Sequence, residues 1–156
     1  MRSRTVESNR ELRDWWSAAD HKNFEAKTKM LVGQYNAYSP VPGYHVNGEL
    51  TLGENIADNS GVAIAYKAYK LSRKGKKAPV IDGLTGGQRF FMGFGQVWRS
   101  KMRESRAVAL IKADPHSPDQ FRANGTMKNQ PAFYDAFGVK PGDKMYLAPK
   151  ERVIIW

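Results

Sequence analysis

The part of the sequence that most constrains the fold runs from residue 52 to residue 73 and reads LGENIADNSGVAIAYKAYKLSR. It is rich in alanine, and its larger apolar residues return at helical intervals, which favours one long helix. The residues available for packing are Ile56, Ile64, Tyr66, Ala68 and Leu71. Gly61 lowers the stability of such a helix by about 1 kcal/mol relative to alanine, so a close helix neighbour is expected there.

Four more helices are predicted from apolar periodicity and from the residues that begin and end helices. They span residues 14–38, with Asp14 as the cap, 88–103, 105–112 and 130–137, the last ended by Gly138. The helix at 88–103 carries an apolar stripe that is expected to lie in the core. The stripe consists of Phe90, Phe91, Phe94, Val97 and Trp98.

Prolines and glycines separate these helices, notably at residues 39–43 and 114–118. Residues 1–10 show no periodicity, and the tail at 139–156 is predicted to lie extended against the body. The chain has no internal repeat and no domain linker. The sequence therefore predicts a single, mainly α domain over residues 1–156, with residues 1–10 atypical.

The absence of cysteine restricts the chemistry that the chain can perform. It excludes a disulfide framework, a thiolate metal site and a cysteine nucleophile, so any metal must be held by histidines and carboxylates. No run approaches the roughly 18 consecutive apolar residues of a membrane span, so none is predicted.

A formal net charge of +10 raises the alternative of polyanion binding, because clustered cations release counterions from phosphate. The basic residues form two groups, Arg73-Lys74-Gly75-Lys76-Lys77 and Arg99, Lys101, Arg103 and Arg106. Both groups follow or fall late in predicted helices, where cations complement the helix dipole. This placement favours a solvated basic surface, and no nucleic-acid partner is predicted.

Two carboxylates, Glu54 and Asp58, stand four residues apart on the predicted long helix and so face one direction. Their repulsion would be relieved by a cation, such as a metal held by one carboxylate while the other orients a histidine ligand. The alternative is an ordinary pair on a solvated surface. The small and apolar neighbours indicate partial burial, and a buried carboxylate must be paired or coordinate a metal.

The segment GENIADN at residues 53–59 resembles the GENIAD motif of the neprilysin-like zinc metalloendopeptidases. Further matching segments follow in the family's order: LRDWW at 12–16, QVW at 96–98, DPHSP at 114–118, FR at 121–122 and the terminal Trp156. The resemblance covers about residues 11–156. It implies the mainly α, C-terminal part of a thermolysin-like zinc peptidase domain, which acts on peptide substrates with Zn²⁺ as cofactor.

The resemblance also implies roles for four residues. Glu54 would be the third zinc ligand, and Asp58 would support a zinc-binding histidine. His116 would stabilise the oxyanion of the tetrahedral intermediate, and Arg122 would bond a substrate carbonyl, as preorganised donors commonly do in hydrolases. The simpler alternatives are that His116 is a turn residue bonded to backbone and Arg122 a surface cation.

The chain departs from the family pattern in two places. The HExxH helix, which carries two histidine ligands and the general base, would fall at or before Met1, whereas His21 begins only HxxxE and His45 lacks a second histidine. The ending VIIW replaces the CxxW of animal members. The chain is therefore interpreted as truncated or as a fragment that lacks its upstream partner segment.

Three expectations follow from that interpretation. The isolated chain should bind zinc poorly and cleave no peptide, because only one ligand is assigned. A non-catalytic binding or interaction module is the alternative function. The small residues Ala57, Gly61 and Ala65 would be left bare without the HExxH helix, so the chain should self-associate or cover them with residues 1–13.

Overall fold

The computed structural model of the protein describes residues 5–6, 12–13 and 16–155. Within these ranges it contains six α-helices and a 3-10 helix at Pro149–Glu151. The α-helices are α1 (Ala18–Asn36), α2 (Leu52–Ser72), α3 (Gly86–Val97), α4 (Glu104–Ala113), α5 (Asp119–Lys128) and α6 (Pro131–Phe137). The mainly α fold that the sequence predicts is confirmed.

A short pair of strands precedes the helices. β1 (Thr5–Val6) runs antiparallel to β2 (Leu12–Arg13), with Thr5 opposite Arg13. The sequence predicted no regular structure over residues 1–10, and that prediction was wrong for β1. Two residues are too few to show a period of two, so no pattern could have revealed this strand.

The bounds of α2, α4 and α6 agree with the prediction to within a residue or two. Gly138 ends α6 as predicted: its φ of +63° is a left-handed conformation that glycine adopts without strain. Its backbone N–H donates to the carbonyl of Tyr134. These helices were predictable because their signals are local.

The predicted start of α1 and the predicted end of α3 were wrong. α1 begins at Ala18, where the hydroxyl of Ser17 accepts a 3.1 Å bond from the N–H of Asp20, while Asp14 lies outside the described residues. α3 is capped by Thr85, whose backbone N–H donates to the Gln88 side chain at 2.9 Å while its hydroxyl accepts from the Gln88 N–H. This capping box was present in the sequence and was missed. α3 ends at Val97 and not near residue 103.

The sequence did not predict α5 at all, because its residues, DQFRANGTMK, are mostly polar and include a glycine. The helix is held by tertiary packing. Phe121 and Met127 are buried, and Gly125 brings the helix against Tyr35 of α1, whose hydroxyl would lie 2.9 Å from a Cβ built on the glycine. Tertiary contacts override local propensity here.

The larger core lies between α1, α5 and the tail. It comprises the buried residues Leu31, Tyr35, Val46, Phe121, Val153 and Ile155. Tyr38 stacks on Phe121 with ring centroids 4.4 Å apart, and burial raises the pKa of Tyr38 to about 12. The backbone N–H of Val153 donates to the side chain of Asn129 at 2.7 Å. The predicted docking of the tail on the body is confirmed.

A second core joins α2, α3 and α5 through Val62, Phe91 and Met127. Phe90 and Phe94 pack against it, as the predicted stripe requires. Val97, however, is 73% exposed, so its assignment to the core was wrong. The error follows from the early end of α3, which places Val97 in the final position of the helix.

One face of α2 carries small and apolar residues that are exposed along its length. This open face of α2 consists of Gly53, Ala57, Gly61, Ile64, Ala65 and Leu71. Ile64 and Leu71 are 65% and 68% exposed, so the expectation that they pack was wrong within this structure. A Cβ added to Gly53 or Gly61 would meet no atom within 4 Å. In the described part of the chain, no helix has the length and apolar character to cross a membrane.

Candidate active site

Glu54 and Asp58 lie one turn apart in the first half of α2, as predicted. Their environments differ: the Asp58 side chain is 10% exposed, whereas that of Glu54 is 42% exposed. The sequence indicated partial burial for both. The tertiary structure encloses one carboxylate and leaves the other open to a ligand.

Arg122, on α5, is the partner that the enclosed carboxylate of Asp58 requires. Its Nε and Nη2 donate to the two oxygens of Asp58 at 2.7 and 2.8 Å, a bidentate pair. These bonds raise the pKa of Arg122 further above its ordinary value. The guanidinium also lies 3.9 Å from the ring centre of Trp98, and its Nη2 is 3.8 Å from Oε2 of Glu54. Arg122 is thus a fixed part of the site and not a surface cation.

His116 lies in the turn between α4 and α5, and Asp114 holds it. One oxygen of Asp114 accepts bonds from the backbone N–H and from Nδ1 of His116, at 2.8 and 2.7 Å. The backbone bond first, and then the ring contact, lower the pKa of Asp114. The opposite ring nitrogen, Nε2, is 3.3 Å from Oε2 of Glu54. The turn therefore aims the imidazole at the carboxylate of α2.

The structure brings all four predicted site residues together from α2, the turn and α5. Glu54 is at the centre, since a single oxygen of its carboxylate faces both His116 and Arg122. Sequence reasoning missed Asp114 as the partner of His116, although an aspartate two residues before a histidine is a local signal for such a turn. It also missed Trp98 as a platform for Arg122, a contact that no local pattern reveals.

The described residues do not form a complete zinc site by themselves. Among residues 16–155, no group of three or more His, Cys, Asp and Glu side chains could hold a metal ion. His21 contacts Glu25 within α1, and His45 contacts the carbonyl of Asn36. Glu54 offers a single carboxylate, so a zinc ion bound here would need further ligands from outside the described part of the chain.

The two basic groups have different positions. Arg73 and its neighbours follow α2, as predicted, and the Arg73 side chain donates to the carbonyl of Lys77. The second group does not fall late in a helix: Arg99 and Lys101 follow the end of α3, and Arg106 lies in the first turn of α4. That prediction was wrong, because it depended on the overlong α3.

Comparisons with known proteins place the chain in a family. The model of "Peptidase family M13" matches residues 2–153. Neprilysin of Mus musculus is 39% identical over 159 residues, covering 98% of this chain and 21% of that protein. Endothelin-converting enzyme 1 of Mus musculus is 41% identical over 157 residues, covering 98% and 20%.

Among solved structures, the zinc metalloprotease Zmp1 of Mycobacterium tuberculosis, in complex with an inhibitor, superposes with a TM-score of 0.91. It is 50% identical, and the match covers 94% of this chain and 23% of that one. The chain thus spans about a fifth of the length of the curated relatives it matches. The resemblance to the neprilysin-like peptidases is confirmed, and the chain belongs to peptidase family M13.

Proposed function

We propose that this chain forms part of the active site of a zinc metalloendopeptidase. The observation that carries the proposal is the convergence on Glu54: one carboxylate oxygen lies 3.3 Å from Nε2 of His116 and 3.8 Å from Nη2 of Arg122. A half-exposed carboxylate flanked by two nitrogen donors suits a metal-ligating group next to a site where negative charge develops. Membership of family M13 and the likeness to Zmp1, a zinc metalloprotease, support zinc as the metal.

Glu54 would supply one oxygen ligand to the zinc. When bound, zinc in such peptidases polarises the scissile carbonyl and activates a water molecule. The remaining ligands would come from a segment that docks on the open face of α2. Gly53 and Ala57 of that face flank Glu54 within one turn, and small residues let a second helix backbone approach closely. A docked helix would therefore place its side chains beside the carboxylate.

His116 and Arg122 would act on the substrate. In its doubly protonated form, with Nδ1–H donated to Asp114, His116 would donate from Nε2 to the oxyanion of the tetrahedral intermediate. Arg122 uses Nε and Nη2 to bind Asp58, which leaves Nη1 to donate to a substrate carbonyl. Each oxygen of Asp58 has a second lone pair, so Asp58 can orient an incoming histidine while it holds Arg122.

A chimera tests the proposal. The matched part of Zmp1, 23% of that chain, would be replaced by this chain, and zinc content and peptide cleavage would be measured. We expect the chimera to hold zinc and to cleave peptides. Glu54→Ala should remove both. His116→Ala should retain zinc and lower kcat by roughly 10²–10³, the usual cost of losing one oxyanion donor.

Glu49→Ala is the matched control for Glu54→Ala, because Glu49 is an exposed glutamate just before α2. It should change neither zinc content nor cleavage. A folded chimera that cleaves no peptide would contradict the proposal, as would one in which Glu54→Ala leaves zinc and activity unchanged.

The isolated chain is a separate case. We expect it to bind zinc weakly and to cleave no peptide, since it offers one assigned ligand where catalytic zinc sites use three. Calorimetric titration of the pure chain with zinc measures this directly. Submicromolar affinity would mean that the ligand assignment is incomplete. Weak binding together with an inactive chimera would favour the alternative, a non-catalytic interaction module.

A further inference from the structure

The buried face of α2 carries a line of polar side chains. Thr51, Asn55 and Asn59 are spaced four residues apart and are 3%, 1% and 4% exposed. Residues with this spacing lie one above another on a helix. A buried amide or hydroxyl is unfavourable unless it is hydrogen-bonded, so each of these groups needs a partner.

Asn55 links α2 to the turn that carries His116. Its Oδ1 accepts a 2.7 Å bond from the hydroxyl of Ser117, which is itself 2% exposed. Its Nδ2 donates at 2.9 Å to the hydroxyl of Thr51, and that hydroxyl donates to the carbonyl of Asn47 at 3.0 Å. The chain of donors therefore runs in one direction from the turn, through α2, to the loop before it.

We infer that the buried Asn55–Ser117 hydrogen bond is the element that positions His116 opposite Glu54. Asn55 directly follows Glu54, and Ser117 directly follows His116, so the bond joins the two backbones next to the functional pair. The inference rests on the proposed function, because the position of His116 matters for catalysis only if its ring acts on the substrate. Asn55 and Ser117 are positioning residues and contact no substrate.

The contact between Glu54 and His116 is exposed to solvent and cannot hold His116 in position by itself. Glu54 and His116 are 42% and 45% exposed, and ion pairs that face solvent contribute little and are screened by salt. The Asn55–Ser117 bond is neutral and enclosed, so salt does not screen it. Removal of either side chain would leave its partner buried without a hydrogen bond. This cost keeps the turn attached to α2.

The neighbouring Asp58–Arg122 pair links α2 to α5. It orients α5, whereas Ser117 lies within the turn itself, beside His116. Removal of the Ser117 hydroxyl should therefore loosen the turn while α5 remains attached. This separates a positioning role from a general contribution to folding.

The test compares Ser117→Thr with Ser117→Val in the full 156-residue chain. The two side chains have the same shape and differ only in the hydroxyl, so any steric effect is common to both. The readout is the nuclear Overhauser effect between the His116 ring and the Glu54 side chain in solution. We expect this contact to persist in Ser117→Thr and to be lost in Ser117→Val, with the signals of α1 and α6 unchanged in both.

Two further variants keep the test decisive. Ser117→Ala removes the hydroxyl without adding a methyl group, so it serves if either larger side chain unfolds the protein; it too should lose the contact. Thr28→Val removes a buried hydroxyl that bonds only within α1, and it should leave the contact intact. Persistence of the His116–Glu54 contact in both Ser117→Val and Ser117→Ala would overturn the inference.

The outcome is independent of activity. A contact that depends on the Ser117 hydroxyl, combined with an inactive Zmp1 chimera, would leave the positioning role in place and reject the peptidase role. An active chimera, combined with a His116–Glu54 contact that does not depend on the Ser117 hydroxyl, would support the peptidase role and reject the positioning role.

Discussion

The inner face of α2 differs from that of an ordinary amphipathic helix, because it places a line of polar side chains beside core residues such as Val62. The face turned into the molecule carries the hydroxyl and amides of Thr51, Asn55 and Asn59, all buried and hydrogen-bonded. The face turned to solvent carries small and apolar residues, including Ile64 and Leu71. In most helices the apolar stripe faces the core.

The difference indicates that the two faces of α2 have different structural roles. Polar groups that are buried must be paired, so they fix where α2 lies relative to the turn at 114–118 and to Gln130, which donates to the carbonyl of Asn59. An exposed apolar face has no such constraint, and faces of this kind mark interaction surfaces. The inner face of α2 thus fixes the position of the helix in the fold, and its outer face offers a surface on which a partner can pack.

The largest expected effect concerns the outer face. Covering about 400 Å² of it, at about 25 cal/mol per Å², yields roughly 10 kcal/mol before association costs, enough to form a dimer. We therefore expect the isolated chain to self-associate at micromolar concentration in sedimentation experiments. Each copy carries a net charge of +10, so added salt should strengthen association by screening repulsion.

The double variant Ile64→Lys with Leu71→Lys should restore a monomer. Its control is Val80→Lys with Ile154→Lys, which adds the same charge at apolar positions that are also exposed but lie outside the open face. A monomeric parent whose open face remains accessible would contradict the idea that α2 needs a partner.

The next effect concerns the ion pair at the edge of the inner face. Asp58→Asn should lower the free energy of unfolding by roughly 3 kcal/mol, because it removes the bidentate carboxylate partner of the largely buried Arg122 guanidinium and leaves only the more distant, half-exposed Glu54. Urea unfolding measures the loss. Glu49→Gln, a matched change at an exposed carboxylate, should stay within about 0.5 kcal/mol. Equal unfolding midpoints for the two variants would show that the pair contributes little.

A pair of glycine substitutions compares an open environment with a closed one. Gly61→Ala on the open face should stabilise the chain by about 1 kcal/mol, since the new methyl group meets no neighbour within 4 Å. Gly125→Ala in α5 should destabilise it by about 1–3 kcal/mol, because the methyl would lie 3.0 Å from the ring of the buried Tyr35. Thermal unfolding should give opposite signs, and equal signs would contradict the packing described.

The smallest effect is a pH dependence at the turn. The N–H and ring of His116, with Arg106 nearby, lower the pKa of Asp114 below its ordinary 3.8. A depressed carboxylate pKa stabilises the folded state above the unfolded-state value, and this contribution is lost as pH falls through the folded-state value. The stability difference between the parent and Asp114→Asn should therefore be present at about pH 6 and vanish in strong acid. A difference that grows on acidification would contradict this assignment.

Much of the fold could be predicted where the signals are local. The bounds of α2 and the stop of α6 at Gly138 follow from helix propensity and from a glycine at a left-handed position. α5 could not be predicted, because its polar residues become helical only when Phe121 and Met127 are buried against α1 and α3. The end of α3 was misplaced because apolar periodicity continued beyond the last hydrogen-bonded turn.

The candidate site, like the fold, could be predicted from the sequence only in part. The spacing of Glu54 and Asp58 predicts that they share a helix face, and the motif resemblance adds His116 and Arg122. Neither indicates that Asp58 gives both oxygens to Arg122, or that Trp98 lies under the guanidinium. Pairings across more than twenty residues depend on how the helices dock, which one sequence does not encode locally.

By itself, the sequence determined the helical class, the long α2 and its carboxylate pair, because propensity and spacing act within a few residues of chain. Only the tertiary structure decided which side of α2 is buried. The buried side is the one whose amides and hydroxyls find partners on the turn and before α6, since unpaired polar groups are excluded from a core while exposed apolar groups are tolerated.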